Sequence, residues 1–259
     1  EMCITDRSKR VLESNLFTVY EKTITDPEKE IDADIIFDCR GRHNRDKSNY
    51  ESLVNPLNSV LLSKKKGQDT DLIYTKAVAT PNGWTFVIPN QDSVSYGYLF
   101  NDTITDREDA IIDFVKRFEI EEITDELKFE NYRAKNFYVG ERTILQGNMY
   151  GFIEPMEATA VAFYQYICRQ SWDAIFKIQT VDYCNEKIKT NMKQLENIIL
   201  WHYQYGSKYD TPFWEYAKSL PFNPDQEFYN MVYDRETKLK QYGQWMKWNF
   251  ENWKDGVEI

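Results

Sequence analysis

Gly147-Asn-Met-Tyr-Gly151-Phe-Ile-Glu-Pro155-Met-Glu157-Ala-Thr-Ala160 follows a short apolar strand, Thr143-Ile-Leu145, and runs into an apolar helical stretch, Val161-Ala-Phe-Tyr-Gln-Tyr166. A strand, a glycine turn, a proline and then a helix aim backbone N–H groups at something anionic, because the first N–H groups of a helix have no partner within it. Gly147 and Gly151 let the backbone approach a flat ligand where a side chain would block it. Pro155 suits the position just ahead of a helix, where the missing N–H is not needed. Glu157 sets one carboxylate at the mouth of the anion site. The competing reading is a buried turn between strand and helix. We read it as a site.

Upstream, residues 1–41 read as β-rich. Asn15-Leu-Phe-Thr-Val-Tyr20 has a strand pattern, and Asp34-Ile-Ile-Phe-Asp38-Cys-Arg-Gly41 is an apolar strand entering a glycine turn. Residues 42–68 are polar and irregular, the pattern of a mobile loop. From Thr70 to Phe100 two or three strands are expected. Period two puts Trp84, Phe86 and Ile88 on one face, Pro89-Asn-Gln-Asp92 turns the chain, and Val94 to Phe100 returns as a hairpin partner. Thr105-Asp-Arg-Glu108 reads as a capping box for a helix through about Glu119. Leu127 and Phe129 alternate with charge as a short strand, and a further strand spans about Asn136 to Leu145.

Beyond Glu157 the pattern is helical throughout. Ile188, Met192, Leu195 and Ile199 recur as one face of a long helix. Leu239, Tyr242, Trp245, Met246, Phe250 and Trp253 form another stripe. Trp201, Trp214, Trp245, Trp248 and Trp253 are five of the seven tryptophans. Such a concentration makes an aromatic core for a helical lobe, or in part the lining of a pocket for flat rings.

The 259 residues carry a net charge of −10, which argues against nucleic acid and anionic membranes, since phosphate binding needs clustered cations. Lys9-Arg10 and Lys64-Lys65-Lys66 are too short to reverse this and belong on solvated surface. Cys3, Cys39, Cys168 and Cys184 lack paired spacing and read as free thiols of a reducing compartment. With no signal peptide and no apolar run of spanning length, a cytoplasmic chain is expected. Only His43 and His202 are present, so a histidine-rich metal site is not expected, nor a serine–histidine triad. Poverty in histidine suits chemistry done by an organic cofactor.

Four segments resemble the tryptophan-halogenase family of flavin-dependent halogenases. Gly147–Ala160 is similar to that family's Gly-Asp-Ala-x-x-Phe-Ile-Glu-Pro-Leu-Glu-Ser-Thr-Gly loop, with Asn148, Ala158 and Ala160 replacing Asp, Ser and Gly. Trp84-Thr-Phe86-Val-Ile88-Pro89 resembles the Trp-x-Trp-x-Ile-Pro signature, with Phe86 for the second Trp. His202-Tyr203 followed by Asp210-Thr-Pro-Phe213-Trp214 resembles the His-Tyr…Asp-Ser-Pro-Phe-Trp segment, and Asp34–Gly41 resembles a strand that approaches FAD.

The resemblance implies a catalytic role for Glu157. It further implies FAD contacts at Gly147, Asn148, Gly151, Phe152, Pro155 and Val161, and a halide cradle at the amides of Thr159 and Ala160. A small aromatic substrate would lie near Trp84, Phe86, Phe213 and Trp214. Reduced FAD, O2 and a halide (chloride, bromide or iodide) would yield hypohalous acid, which acts through a lysine held by the glutamate, and a separate flavin reductase would supply the reduced cofactor. No metal is implied, and a homo-oligomer is left open.

The family's Gly-x-Gly-x-x-Gly fingerprint has no counterpart, because no two of the ten glycines are separated by a single residue. The expectation is therefore the C-terminal part of a longer protein, lacking about 100–200 residues and the catalytic lysine. The expected fold is α+β: residues 1–160 the later part of an FAD-binding monooxygenase-type domain with a substrate sheet, and residues 161–259 a helical C-terminal lobe. The rivals are a hydroxylase or reductase of the same superfamily, which has no reason for the Trp84–Pro89 strand, and a ligand-binding fragment without catalysis.

Overall fold

The computed structural model describes residues 9–42, 45–67 and 73–257. Cys3, His43 and Thr70 lie outside the described residues. After a single helical turn, α1 (Pro27–Glu30), come β1 (Ile36–Asp38), β2 (Tyr50–Ser52), β3 (Ser59–Lys66), β4 (Lys76–Thr80), β5 (Gly83–Pro89), β6 (Ser93–Phe100) and α2 (Arg107–Phe118). Next are β7 (Asp125–Lys128), β8 (Tyr132–Ala134), β9 (Tyr138–Val139), β10 (Thr143–Leu145) and β11 (Gly151–Phe152). The remainder is α3 (Ala160–Ile175), α4 (Val181–Tyr205), α5 (Pro212–Ser219), α6 (Gln226–Tyr233), β12 (Gln241–Tyr242), β13 (Trp245–Met246) and α7 (Lys247–Val257).

The largest sheet is antiparallel, in the order β4-β5-β6-β3-β7. Alternation along its central strands sorts the side chains between two faces. Leu61, Tyr98 and Phe100 meet Ala110, Phe114 and Ile120 of the α2 region on one side. Val60, Trp84 and Leu99 enter the main core on the other, which runs on through Ile153, Phe163, Tyr203 and Trp214. That core is continuous across residue 160. Each fully buried aliphatic or aromatic side chain in it contributes about 1.5–3 kcal/mol.

α4 is the spine of the helical part. Thr180 caps it by accepting the Tyr183 N–H, and Ile188, Met192, Leu195 and Ile199 form the buried face that the four-three-four spacing predicts. Its opposite flank supplies Ile198 and Trp201 to a second, aromatic cluster with Phe228, Trp245 and Phe250. Trp201 sits within 4.0–6.2 Å, ring to ring, of Trp253, Phe228, Phe250 and Trp245. A helix apolar on two faces is buried on both.

Four expectations need correction. Asn15–Tyr20 forms no strand; its apolar side chains are exposed, and without a partner strand the alternation has nothing to bury. Residues 42–68 are not simply a loop, because β2 and β3 lie within them, and β3 pairs with β6 over its whole length. The stripe from Leu239 to Trp253 is not one helix: a hairpin turning at Gly243 comes first, and α7 begins only at Lys247. The helix after Thr105 is entered through Asp106, with no side-chain cap bond.

Candidate active site

β1 and β10 pair in parallel, with Asp38 opposite Leu145, and both strands end in glycine turns. Gly41 (φ 82°) and Gly147 (φ 58°) are left-handed, and among the described residues nothing lies within 4 Å of the position a Cβ would take at either. The carboxyl ends of neighbouring parallel strands thus open onto free space, where ligands of α/β proteins characteristically sit. Asp38 is buried and accepts two hydrogen bonds from one guanidinium edge of Arg40, Nε at 2.9 Å and Nη2 at 2.8 Å.

The loop after β10 is fixed from below. Tyr132 donates its hydroxyl to the Asn148 carbonyl and Tyr50 to the Met149 carbonyl, each at 2.6 Å, and Tyr164 donates to the Asn148 side chain. Gly151 serves a different purpose from Gly147. A Cβ there would come within 2.9 Å of the Tyr132 carbonyl and 3.0 Å of Met192 Cε, so the glycine lets β11 pack on β8 and α4.

Two carboxylates three residues apart then face consecutive residues of α4. Glu154 is fully buried. Its carboxyl accepts the Tyr203 hydroxyl (2.7 and 2.9 Å), the Trp84 indole N–H (2.9 Å) and the Asn55 amide (2.8 Å), while its backbone N–H donates to Asn131. Burial pushes this carboxyl above the ordinary range despite those three donors. The Tyr203 phenol is raised well above its usual value, by burial first and by Glu154 second.

Glu157 has its side chain 33% exposed, with Oε1 3.3 Å from His202 Nε2. Burial would raise it, but the hydrogen bond and charge of His202, with a further bond from Trp245, bring it below the ordinary range. Its backbone is left-handed (φ 66°), as is that of Ala158 (φ 50°). Two successive non-glycine residues in this region store about 1–2 kcal/mol each, strain that collects at functional sites. The turn lifts Glu157 away from the core, then delivers Thr159 as the residue preceding α3. Thr159 is buried, whereas Val161 is 67% exposed.

Beside the loop lies a cavity of about 440 Å3, lined by Gly41, Arg42, Leu62, Phe86, Leu99, Asn148, Phe152 and Pro155 among others. Its apolar walls and few polar groups suit a flat ring system. The Phe86 ring reaches it by lying across Gly97, where a Cβ would be only 2.0 Å from the ring.

Residues 6–255 match the profile of the family described as tryptophan halogenase. The chain belongs to the tryptophan halogenase family. Among curated members, this halogenase-family chain is 25% identical to the tryptophan 7-halogenase RebH of Lentzea aerocolonigenes, over 73% of this chain and 39% of RebH. It is 24% identical to the tryptophan 6-halogenase ThaL of Streptomyces albogriseolus, over 57% of this chain and 29% of ThaL. Its fold is shared with solved flavin-dependent halogenases. BrvH from Brevundimonas sp. BAL3 superposes with a TM-score of 0.71 at 18% identity, covering 89% of this chain and 50% of BrvH. Xcc4156 from Xanthomonas campestris gives 0.70 at 19%, covering 88% and 49%. The chain therefore spans about half the length of these structures, and less of the curated relatives.

Within this halogenase-family chain, Asn148, Phe152, Pro155 and Phe86 come together around one space, Gly147 precedes Asn148 outside its lining, and Glu157, Thr159 and Ala160 follow on the same turn. Trp84, Phe213 and Trp214 do not line the cavity. Trp84 is held inside the core by Glu154, and Trp214 donates to the Thr80 carbonyl at 2.7 Å while packing 5.8 Å from Tyr203. Sequence reasoning missed Glu154 and the pairing of His202 and Tyr203 with the two glutamates. The 154/157 spacing opposite a His-Tyr pair was visible, but only the fold shows that they meet. Among the described residues no group of three His, Cys, Asp or Glu is placed to hold a metal, and no helix is long and apolar enough to cross a membrane.

The empty positions beyond Gly41 and Gly147 and the apolar cavity fit a flavin ring bound against Gly147, Asn148, Phe152 and Pro155. The start of α3 at Ala160, where the first N–H groups of a helix have no partner within it, fits a halide beside Thr159 and Ala160.

Proposed function

We propose that the protein halogenates an electron-rich aromatic compound in the cytoplasm, using FAD reduced by a separate reductase. Held against Gly147, Asn148, Phe152 and Pro155, reduced FAD would supply, with O2, the oxidation of the halide to hypohalous acid. The chain's own residues do the rest. The amides of Thr159 and Ala160 bind the halide, and Glu157 orients and polarises the oxidant delivered to the substrate. Phe86 and the strand carrying it separate the flavin side from the substrate side, with Trp84 anchoring the strand through Glu154. The observation that supports this reading best is a carboxylate lowered below the ordinary range on a left-handed turn at the head of α3, two residues beyond Pro155, which lines the apolar cavity.

Ala160 has a methyl group where the family pattern has glycine, which loosens the cradle around the smallest ion. Larger halides are also easier to desolvate and oxidise, so bromide or iodide is favoured over chloride. The test supplies the intact protein with reduced FAD, O2 and equal concentrations of the three halides, and offers indoles and phenols in turn. Mass spectrometry should show halogenated product, predominantly brominated or iodinated. Hydroxylated product without halogen would sink the reading, and a clear chloride preference would remove Ala160 from selectivity.

A further inference from the structure

Arg42, Arg45 and Lys47 on one side, with Lys128, Phe129 and Glu130 at the end of β7 on the other, line a second cavity of about 310 Å3. Arg42 and Phe129 also line the apolar cavity, so the two spaces meet at these side chains. Local acids do not balance the cations. Lys128 pairs with Asp102 at 2.5 Å. Glu130 pairs with Lys47 at 2.6 Å and with Arg45 as well, so one carboxylate serves two cations. Asp46 is turned to the Ser48 N–H and the Asn49 amide. Among the described residues Arg42 has no ion-pair partner. Set against Glu130 and Asp102, the four cations leave an excess of two positive charges, in a chain whose net charge is −10. Arg45 is fixed in place: its side chain is 8% exposed, its guanidinium lies 3.8 Å from the Tyr132 ring centroid, and Nη1 donates to the Arg42 carbonyl at 2.7 Å. Its Nε has no acceptor among the described residues. A buried, incompletely paired cation beside surplus positive charge is stabilised by an anion.

We propose that this cavity is a binding compartment for the anionic arm of the aromatic substrate, a carboxylate or phosphate carried on a ring that rests against Phe129. Arg42 makes the contact, because it borders both cavities, lacks an ion-pair partner among the described residues and carries the planar donor fork that suits those two groups. Lys47 and Lys128, with side chains 71% and 76% exposed, form the rim and draw anions in. No residue of the Gly147–Val161 loop lines this compartment, so the arm belongs to the substrate and not to the flavin placed against that loop. That the ring ligand is a substrate rests on the halogenase reading above; the preference for an anion does not.

Indole-3-acetate and indole-3-acetamide share a ring and differ in charge, and titration calorimetry of the intact protein with each, without FAD and with FAD saturating, tests the compartment. The acetate should bind about tenfold more tightly or better in both states, and Arg42→Gln should bring the two ligands within about twofold of each other. Lys218→Gln, which removes an exposed cation on α5, should keep the preference. Equal binding of the two ligands by the parent overturns the proposal, and so does a preference that survives intact in Arg42→Gln. Should that variant not fold, Lys47→Gln at the exposed rim decides: the preference should shrink, and an unchanged one overturns the proposal. A preference that vanishes once FAD is bound also overturns it, by giving the compartment to a phosphate of the cofactor. A preference for the acetate in a protein that binds no FAD would uphold the compartment and sink the halogenase reading instead.

Discussion

Glu154 and Glu157 sit on either side of Pro155, yet they occupy opposite electrostatic worlds. Glu154 lies beneath the loop, wholly out of water, surrounded by an indole, a phenol and an amide, and burial raises its pKa. Glu157 stands on top of the loop, a third exposed, beside His202, and is lowered. Carboxyls pushed apart in this way take different tasks. The lower one ties β5, α4 and the loop together; the upper one is available to a ligand. What separates them is a turn whose two left-handed residues reverse the side-chain direction within a few residues.

The sharpest way to break this comparison is to neutralise the upper carboxyl. Glu157→Gln in the intact protein should fold and keep FAD binding while halogenation falls by about 10²–10⁴-fold. Product formation at the parental rate would make Glu157 a bystander. Next in size is the lower carboxyl. Glu154→Ala leaves the Trp84, Tyr203 and Asn55 donors buried without an acceptor and should destabilise by about 3 kcal/mol or more in urea unfolding. A loss under 1 kcal/mol would mean that water replaces the carboxyl and the hub is not structural.

The pH dependence of stability sharpens the contrast further. Glu154, raised in the fold, contributes stability that is present below the ordinary glutamate value of 4.5 and is lost as pH rises through its folded value. Glu157, lowered in the fold, contributes stability that is present above 4.5 and lost as pH falls through its folded value. Unfolding free energies of Glu154→Gln and Glu157→Gln, each subtracted from the parent across pH 3–8, should therefore slope in opposite directions. Parallel slopes would erase the distinction. The smallest effect concerns the turn itself. Ala158→Gly removes about 1–2 kcal/mol of left-handed strain and adds back about 0.4–1 kcal/mol of unfolded-chain entropy, so Tm should rise by about 2 °C. A fall in Tm would show that the turn is not strained.

Much of this was legible in the residues. The alternation in Trp84–Ile88 and the return through Phe100 gave the right hairpin, and the Ile188–Ile199 spacing gave the buried face of α4, because both periods are properties of a single element. The glycine loop was legible because left-handed backbone and an early proline leave few alternatives at Gly147 and Pro155. β3 was missed for a physical reason: three lysines end it, and its apolar residues are buried only because β6 and β7 flank it. Asn15–Tyr20 erred the other way, since alternation without a neighbour makes no strand.

The sequence by itself determined the family, the loop and Glu157 as the carboxylate at its tip, since local backbone chemistry and residue order suffice for these. Only the tertiary structure decided that Trp84, Phe213 and Trp214 are buried in the main core, and that Glu154 and Glu157 meet Tyr203 and His202. Those pairings join residues roughly 45–70 positions apart, and no local pattern encodes which side chains a fold brings within hydrogen-bond reach.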